Sequence, residues 1–382
     1  MAQMEQKGFN WSSGLFIIIY HVALAIALPI YLWFHGISWS MVAFSAVLLY
    51  ATGLSITAGY HRFYAHRSYR TNKFVESALL FFGAMSAQGS ALRWSYEHRL
   101  HHAHTDTDSD PYSIKKGFWY AHFLWLFDRE KNIEPRVVSD LLRNRLVVLQ
   151  DKYLPWLLLA TNALVIGLVG WFYQDFWGAF IIAGLTRLFF LHHFTWFINS
   201  LAHTWGSRNF CQELSAVDNY VLSLLTFGEG YHNYHHAYAN DYRNGVRWYH
   251  FDPTKWLIWT LSKLGLAHDL KRTDPLTVQK RMVIERRKLL LDRVKELWYV
   301  QKEELEQQIQ EMSETIVAHT ATLRQLHDRY QAYKAEQAGK DVLSEVYAEI
   351  RLVQDEMRED WRRWCALSKD ILGLKPLTLL KQ

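Results

Sequence analysis

Histidines that could bind metal ions cluster at four places in this chain of 382 residues. The segments HRFYAH, EHRLHH, NSLAH and HNYHH supply nine of the 19 histidines, namely His61, His66, His98, His101, His102, His203, His232, His235 and His236. The spacing H-x-x-H-H occurs twice, and positions i, i+3 and i+4 share one face of a helix. Three imidazoles of each unit can therefore converge on a small volume. This pattern predicts metal binding rather than isolated solvated histidines.

The pair His61 and His66 has a different spacing. Residues five apart lie about 140° from each other around an ideal α-helix. We therefore expect this pair either to straddle a point where its helix frays or to serve two different metal ions.

The number of histidines narrows the choice of metal. Imidazole binds zinc, copper, iron and nickel, so ligand type alone leaves the metal open. A structural zinc takes four ligands and a catalytic zinc usually three, so nine histidines suit two ions with four or five ligands each. Two ions held without carboxylates in a membrane indicate iron used for oxygen chemistry. The soluble di-iron pattern needs two Glu-x-x-His units, and only Glu229-x-x-His232 lies beside these histidines.

The acidic stretch TDTDSDP follows the second histidine segment and resembles the start of a calcium loop. In an EF-hand beginning at Asp106, the turn glycine would be Pro111 and the closing glutamate would be Gly117, so a calcium site is excluded. We expect Asp106 and Asp110 to accept hydrogen bonds from ligand imidazoles, which is how metal-bound histidines are commonly oriented. Asp108 is expected to be solvated.

The elements that must position these residues are membrane-spanning helices. Four segments have the ~20 apolar residues that cross a bilayer, and they are residues 15–34, 41–59, 154–173 and 176–199. Their outer connectors, HGISWS and QD, contain no Lys or Arg, whereas the central segment 60–153 is rich in both. The positive-inside rule therefore places that segment and both termini in the cytoplasm. All nine histidines then lie at or just beyond cytoplasmic helix ends.

A fifth apolar stretch, residues 74–92, carries Glu76 and Gln88. If it crossed the membrane, His61 and His98 would lie on opposite sides. We therefore expect it to lie in or against the membrane interface, leaving two hairpins of spans.

Composition divides the chain into a membrane domain, residues 1–275, and a polar C-terminal extension, residues 276–382. The predicted fold is all-α, with four transmembrane helices in two hairpins and a cytoplasmic helical cap that holds a histidine-rich dimetal site. The formal charge of +5 gives no argument for nucleic acid, and Cys211 and Cys365 cannot form a disulfide framework.

The extension has heptad-like spacing. The pattern predicts two long antiparallel helices, a cytoplasmic hairpin with a break at 335–341. Across residues 288–335 the apolar positions are Leu291, Trp298, Leu305, Met312, Leu326 and Tyr333, interleaved with Ile309, Ile316, Leu323 and Tyr330. After the break they are Leu343, Ile350, Met357 and Trp364. His319 interrupts the pattern. Such a hairpin could support self-association, bind a partner or brace the membrane domain, and the sequence leaves these roles open.

Four long strings resemble the membrane fatty acid desaturases, specifically a bacterial member of the acyl-CoA (stearoyl-CoA-like) delta-9 branch. They are ITAGYHRFYAHRSY, WSYEHRLHHAHTDTDSDPYSIKKGFWYAH, TWFINSLAHTWG and FGEGYHNYHHAYANDYR, and the resemblance covers about residues 15–270. It implies that the nine histidines hold two iron ions, with Asn199 joining through water. His104 falls where the family has no ligand.

The resemblance also implies a narrow, kinked tunnel for an acyl chain between the spans. Thr195 and Trp196 match family residues beside the kink, and Trp94 matches one at the entry. Alignment suggests Ser45 and Leu49 near the closed end.

Basic residues in the family lie near the CoA headgroup, and Lys115 and Lys116 occupy those positions here. The same lysines also fit a plain positive-inside role. The chain departs from animal members at Gly89 and Tyr96, which leaves CoA, acyl carrier protein and lipid open as the acyl carrier.

The implied reaction removes two hydrogens from an unactivated methylene pair of a long-chain acyl-CoA and leaves a cis double bond. Such C–H bonds have no useful acidity, so acid–base groups cannot break them, whereas oxygen activated on iron can. Each turnover consumes O2 and two electrons. No HPGG string or nucleotide-binding glycine motif is present, so electrons are expected from a separate cytochrome b5-, ferredoxin- or rubredoxin-like donor with its reductase. The implied location is a bacterial inner membrane, in contact with membrane lipid.

Three other functions stay open at this point. A membrane di-iron lipid or alkane hydroxylase would share the metal chemistry but form an alcohol. A histidine-rich metal-binding membrane protein with a partner-binding coiled coil would form no lipid product. A zinc hydrolase would need Glu97 or Glu229 as its base, and nine ligands are too many for it.

Overall fold

The computed structural model describes residues 8–297 and 300–374. Within these residues the chain is mostly helical, which confirms the all-α prediction. The regular strands of this part are one short antiparallel pair, Arg70–Thr71 (β1) and Ala267–His268 (β2). The described residues form two compact units, one of residues 8–208 and 213–272 and one of residues 209–212 and 273–374.

Thirteen α-helices make up the first unit. In chain order they are α1 (Trp11–His35), α2 (Trp39–Leu54), α3 (Lys73–Met85), α4 (Ala91–His104), α5 (Phe118–His122), α6 (Ser139–Leu142), α7 (Arg145–Lys152), α8 (Leu154–Tyr173), α9 (Phe176–Gly178), α10 (Arg187–Ser200), α11 (Tyr220–Leu225), α12 (His232–Ala237) and α13 (Pro253–Lys263). Short 3-10 helices and two π-helices accompany them, at Ile114–Lys116, Leu124–Phe127, Leu201–His203, Ser55–Ala65 and Ala179–Thr186.

Four continuous helical segments are long and apolar enough to cross a membrane, which confirms the predicted spans. They are Trp11–His35, Trp39–Ala65, Leu154–Tyr173 and Phe176–His203, called spans 1 to 4 below, with mean hydropathies of 2.4, 1.8, 1.7 and 1.3. Each span also presents large apolar side chains outward, for example Ile26, Val47, Leu159 and Phe180. Exposed apolar faces on every span suit contact with lipid, and the chain is an integral membrane protein.

The stretch 74–92 is not a span. It divides into α3, the bend around Gly89 (φ 87°) and the start of α4. A 13-residue helix such as α3 is about 20 Å long, shorter than the ~30 Å hydrocarbon core. Capping side chains fix both helix starts, because Asn72 accepts the Val75 N–H and Ser90 accepts the Arg93 N–H.

The second unit differs from the predicted hairpin. It contains three helices, α14 (Pro275–Glu296), α15 (Lys302–Ala335) and α16 (Lys340–Gly373). A single helix across 288–335 was therefore the wrong prediction. Helix α14 ends at Glu296 and α15 begins at Lys302, and neither Pro nor Gly in the sequence between them marks the interruption. Trp298, one of the predicted seam positions, lies outside the described residues.

The later part of the heptad pattern does form a packed seam. α15 and α16 run antiparallel, as shown by Arg329 pairing with Glu349 and His319 with Asp360. Side chains at seven-residue intervals are buried along both helices, at Ile309, Ile316, Leu323, Ile350, Met357, Trp364 and Ile371. The break between the helices falls at the predicted place.

Candidate metal centre and adjoining cavity

All nine predicted histidines lie together in the first unit, where they form two groups. His61, His66, His98, His102 and His235 make up group 1, and His101, His203, His232 and His236 make up group 2. In each group the ligand atoms lie within 4.8 Å of one another. His104 is exposed and belongs to neither group. The arrangement of five and four matches the number that two metal ions would need.

The pair His61 and His66 joins one group because span 2 ends in a π-helix. In that helix each N–H bonds to the carbonyl five residues back, and the His66 N–H donates to the His61 carbonyl at 3.0 Å. Residues five apart therefore lie one above the other instead of about 140° apart. The helix ends at Ala65, so the pair straddles its end as one expectation had it, whereas two different metals do not fit the place of both residues in one group.

Each H-x-x-H-H unit contributes to both groups. On α4, His98 and His102 point into group 1, whereas His101 belongs to group 2. On α12 the division is reversed, with His235 in group 1 and the i, i+4 pair in group 2. The spacing predicted convergence, but not this division, because the division depends on how α4 and α12 face each other.

The Nε2 atoms face inward within each group. The shortest Nε2–Nε2 distances are 2.8–3.3 Å, for the pairs His66–His98, His61–His235, His102–His235, His203–His232, His232–His236 and His101–His236. Nitrogens about 2.1 Å from one ion and at right angles lie about 3.0 Å apart, so these separations suit a shared metal ion.

The acidic loop holds ligand histidines from behind. Asp110 Oδ1 lies 2.9 Å from His101 Nδ1. Asp106 acts one step further out, because it accepts from the backbone and side chain of Ser215, whose Oγ lies 2.7 Å from His203 Nδ1. Such contacts place the proton on Nδ1 and leave the Nε2 lone pair for a metal. Ser215 was missed in the sequence, since nothing in its local pattern marks it. Asp108, as expected, is exposed.

Burial favours the neutral imidazole at several of these positions. Desolvation, followed by the neighbouring imidazoles, lowers the pKa well below its usual value at His66, His98, His102, His232, His235 and His236. Neutral rings whose lone pairs point at one another repel unless a cation lies between them. The donor set therefore fits two metal ions.

A buried ionic network supports His61. Glu229 Oε2 lies 3.0 Å from His61 Nδ1, and Glu229 Oε1 pairs with Arg62 at 2.8 Å. Arg62 also pairs with Asp252 at 3.0 Å. Burial acts to raise the pKa of Glu229, but the neighbouring Arg62 guanidinium lowers it, and the pKa of Glu229 lies below its usual value. The sequence had presented Arg62 only as a cytoplasmic charge, and its burial depends on acids distant in the chain.

A cavity of about 1210 Å³ adjoins group 1. Its wall includes His61, His98 and Glu229, together with the predicted residues Trp94, Lys116, Thr195, Trp196 and Asn199. Gly89 and Tyr96 line it as well, whereas Lys115, Ser45 and Leu49 are not among the described residues of this wall. Ser45 instead donates to the Ile182 carbonyl at 3.0 Å.

Gln88 was missed by sequence reasoning. It lines the cavity and donates to Thr195 Oγ1 at 2.9 Å, which connects the bend before α4 to span 4. Its only sequence signal was a polar residue inside an apolar stretch.

The two acids proposed for a hydrolase differ in their surroundings. Burial raises the pKa of Glu97 to about 8. Glu229 is held in the ion pair with Arg62 described above, so the zinc hydrolase hypothesis loses Glu229 as its base.

Comparison with known proteins gives consistent matches. Residues 37–270 match the family described as "Fatty acid desaturase". A "Probable acyl-CoA desaturase" of Schizosaccharomyces pombe is 44% identical over 252 residues, covering 64% of this chain and 52% of the relative. An "sn-1 stearoyl-lipid 9-desaturase" of Anabaena variabilis is 34% identical over 278 residues, covering 72% and 98%. "Stearoyl-CoA desaturase 5" of Bos taurus is 35% identical over 237 residues, covering 60% and 71%. The chain spans about half the length of this Schizosaccharomyces pombe relative and of "Acyl-CoA desaturase 1" of Saccharomyces cerevisiae.

Proposed function

The chain belongs to the fatty acid desaturase family, and we propose that it introduces a cis double bond, at the delta-9 position, into a saturated long-chain fatty acyl-CoA. One observation carries the proposal: the cavity that could take an acyl chain ends against group 1 and shares His61 and His98 with it. A methylene pair inside this cavity would lie beside the metal centre.

The nine histidines would hold two iron ions, five in group 1 and four in group 2, with Asn199 contributing through water. Bound iron and O2 would supply the oxidising power that removes hydrogens from an unactivated methylene pair. The protein's own part is to hold neutral imidazoles in place and to fix the chain. Asp110, Ser215 and Glu229 keep the ligand rings oriented through their outer nitrogens.

The cavity wall would fix the acyl chain. The Gln88–Thr195 hydrogen bond and the Trp196 indole both border the cavity, and Trp94 stacks on His98 with ring centroids 4.9 Å apart. A chain bent around these side chains would present one carbon pair to the metals, and such positioning accounts for much of an enzyme's rate. A bent channel also suits a cis product.

Basic side chains would hold the carrier group. Lys116 lines the cavity with Arg93, Arg129 and Lys131, and cations of this kind pair with phosphates. Lys115, exposed beside Lys116, would act at longer range. A lipid headgroup offers phosphate as well, so the assay below compares the two carriers.

Orientation and partners follow from the same proposal. The central basic segment and both termini would face the cytoplasm, in a bacterial inner membrane. A separate cytochrome b5-, ferredoxin- or rubredoxin-like donor with its reductase would deliver two electrons per turnover. The helices of the second unit would support self-association.

The test is expression of the whole chain in a host that lacks its own desaturase, with fatty acid profiling by mass spectrometry. The expected product is an internal cis alkene, and His101→Ala should abolish it. Purified protein, supplied with a reductase and an electron donor and given a labelled acyl-CoA or the same acyl group in phospholipid, identifies the carrier. An alcohol product would indicate the hydroxylase instead, and full activity of His101→Ala would contradict the ligand assignment.

A further inference from the structure

A second set of histidines lies between spans 1 and 4, outside both metal groups. His21 is on span 1, His122 is on α5, and His192 and His193 are adjacent on α10. Adjacent residues on a helix point in different directions, so the last two reach different partners. Together they connect span 1 to span 4 through two arms.

The first arm is a chain of three imidazoles. His21 Nδ1 lies 2.7 Å from the Ile17 carbonyl, so this nitrogen carries the proton and His21 Nε2 accepts. His193 Nε2 donates to it at 3.2 Å, and His193 Nδ1 in turn accepts from His122 Nε2 at 3.0 Å. Ser200 Oγ closes the chain at 2.9 Å from His122 Nδ1, and it donates to the Trp196 carbonyl at 3.1 Å.

This arm is not built as a metal site. His193 uses one ring nitrogen toward His21 and the other toward His122, so the three rings do not converge on one point. Alternating donors and acceptors satisfy one another without a cation. The three hydrogen-bonded imidazoles therefore hold span 1, α5 and span 4 in fixed positions relative to one another.

The second arm runs through His192. Its Nε2 donates to the Ser86 carbonyl at 2.9 Å, and its Nδ1 accepts from the Tyr20 hydroxyl at 2.9 Å. Ser86 lies two residues before Gln88, the residue that donates to Thr195. This arm thus connects span 1, span 4 and the bend that carries Gln88.

Trp196 lies between the two arms. Its ring centroid is 5.3 Å from that of His192, 5.1 Å from His193 and 5.8 Å from His122. The ring of His21 stacks on it at 6.2 Å with an interplanar angle of 15°. Trp196 is 5% exposed and lines the cavity, as His192 does, so the two arms hold this wall of the cavity in place.

We propose that His192 and His193 are positioning residues that hold Trp196 in the cavity wall and so determine which methylene pair of the acyl chain is oxidised. This inference rests on the proposed desaturation. Adjacent methylene pairs are chemically alike, so only their position relative to the metals separates them. A displacement of Trp196 by about 1 Å is enough to change that selection.

The experiment uses the full-length protein and measures the position of the double bond in its fatty acid products, by mass spectrometry of their dimethyl disulfide adducts. His193→Phe fills the same space but breaks the first arm, whereas His193→Gln keeps one donor and one acceptor. Tyr20→Phe removes only the hydroxyl of the second arm. Phe190→Leu, at an exposed site on the same helix, is the control.

We expect the ratio of the main positional isomer to the others to fall about tenfold in His193→Phe and to recover in His193→Gln. Tyr20→Phe should change the ratio in the same direction by a smaller factor, and it decides the question if His193→Phe does not accumulate. Lower total product with an unchanged isomer ratio in both variants would overturn the inference. Absence of any alkene from the unmodified chain would contradict the proposed function instead.

Discussion

The two sets of histidines in the first unit use their ring nitrogens in opposite ways. In the metal groups, Nε2 faces Nε2 and the outer nitrogens of several rings contact Asp110, Ser215, Glu229 and Tyr112. In the histidine chain between spans 1 and 4, each ring nitrogen that accepts a hydrogen bond from the next ring faces a nitrogen that donates one. Converging lone pairs require a cation, whereas an alternating chain requires none. The arrangement of ring nitrogens, more than the number of histidines, therefore distinguishes a metal site from a structural brace.

The largest expected effect comes from removing a ligand. We expect His102→Ala, in group 1, and His236→Ala, in group 2, each to lower bound iron from two ions toward one and to reduce desaturation at least 100-fold. Metal analysis of the purified protein together with product quantification measures both. His104→Ala, an exposed histidine on the same helix as His102, is the matched control and should retain both ions. If His102→Ala and His236→Ala each retained two ions, the converging nitrogens would not mark a metal site and the contrast between the two histidine sets would fail.

Removing an outer contact should have a smaller effect. Asp110→Asn weakens the hydrogen bond that orients His101, and loss of such partners typically costs about 10–100-fold in metal affinity or activity. Competition with a chelator measures the affinity. Asp108→Asn, in the same loop but exposed, should leave it unchanged. Equal behaviour of the two variants would show that the Asp110 contact does not orient a ligand.

The last expected effect concerns stability and leaves the metal-loaded protein unchanged: stability should depend on pH only when metal is absent. The pKa of six ligand histidines is lowered in the folded protein. Below about pH 6.5 the unfolded chain therefore binds more protons than the folded protein. As the pH is lowered, the free energy of unfolding decreases by up to about 1.4 kcal/mol per pH unit for each histidine. Thermal melting in detergent from pH 8 to 5.5, with and without chelator, tests this. A metal-loaded protein that lost stability as steeply as the metal-free one would argue against ligation.

Much of the fold followed from local pattern. Apolar length predicted all four spans, and the two H-x-x-H-H units predicted convergent histidines because i, i+3 and i+4 share a helix face. The parity of the spans then placed residues 74–92 outside the membrane-spanning set. Each of these predictions depends on spacing within one element, which the sequence states directly.

Features that depend on several elements were missed. The π-helix that aligns His61 with His66 has no marker in composition, and the partition of each histidine unit between two groups requires the relative placement of α4 and α12. Gln88, Ser215 and the histidine chain all gain their roles from partners distant in sequence. The break after Glu296 was missed because neither Pro nor Gly marks it.

One consequence follows from the way α4 and α12 each supply both groups. About one turn of each helix carries histidines of both groups. If each group held an ion, neither ion could shift without moving histidines of the other group. A displacement at one group would then be transmitted to the other through the helical backbone.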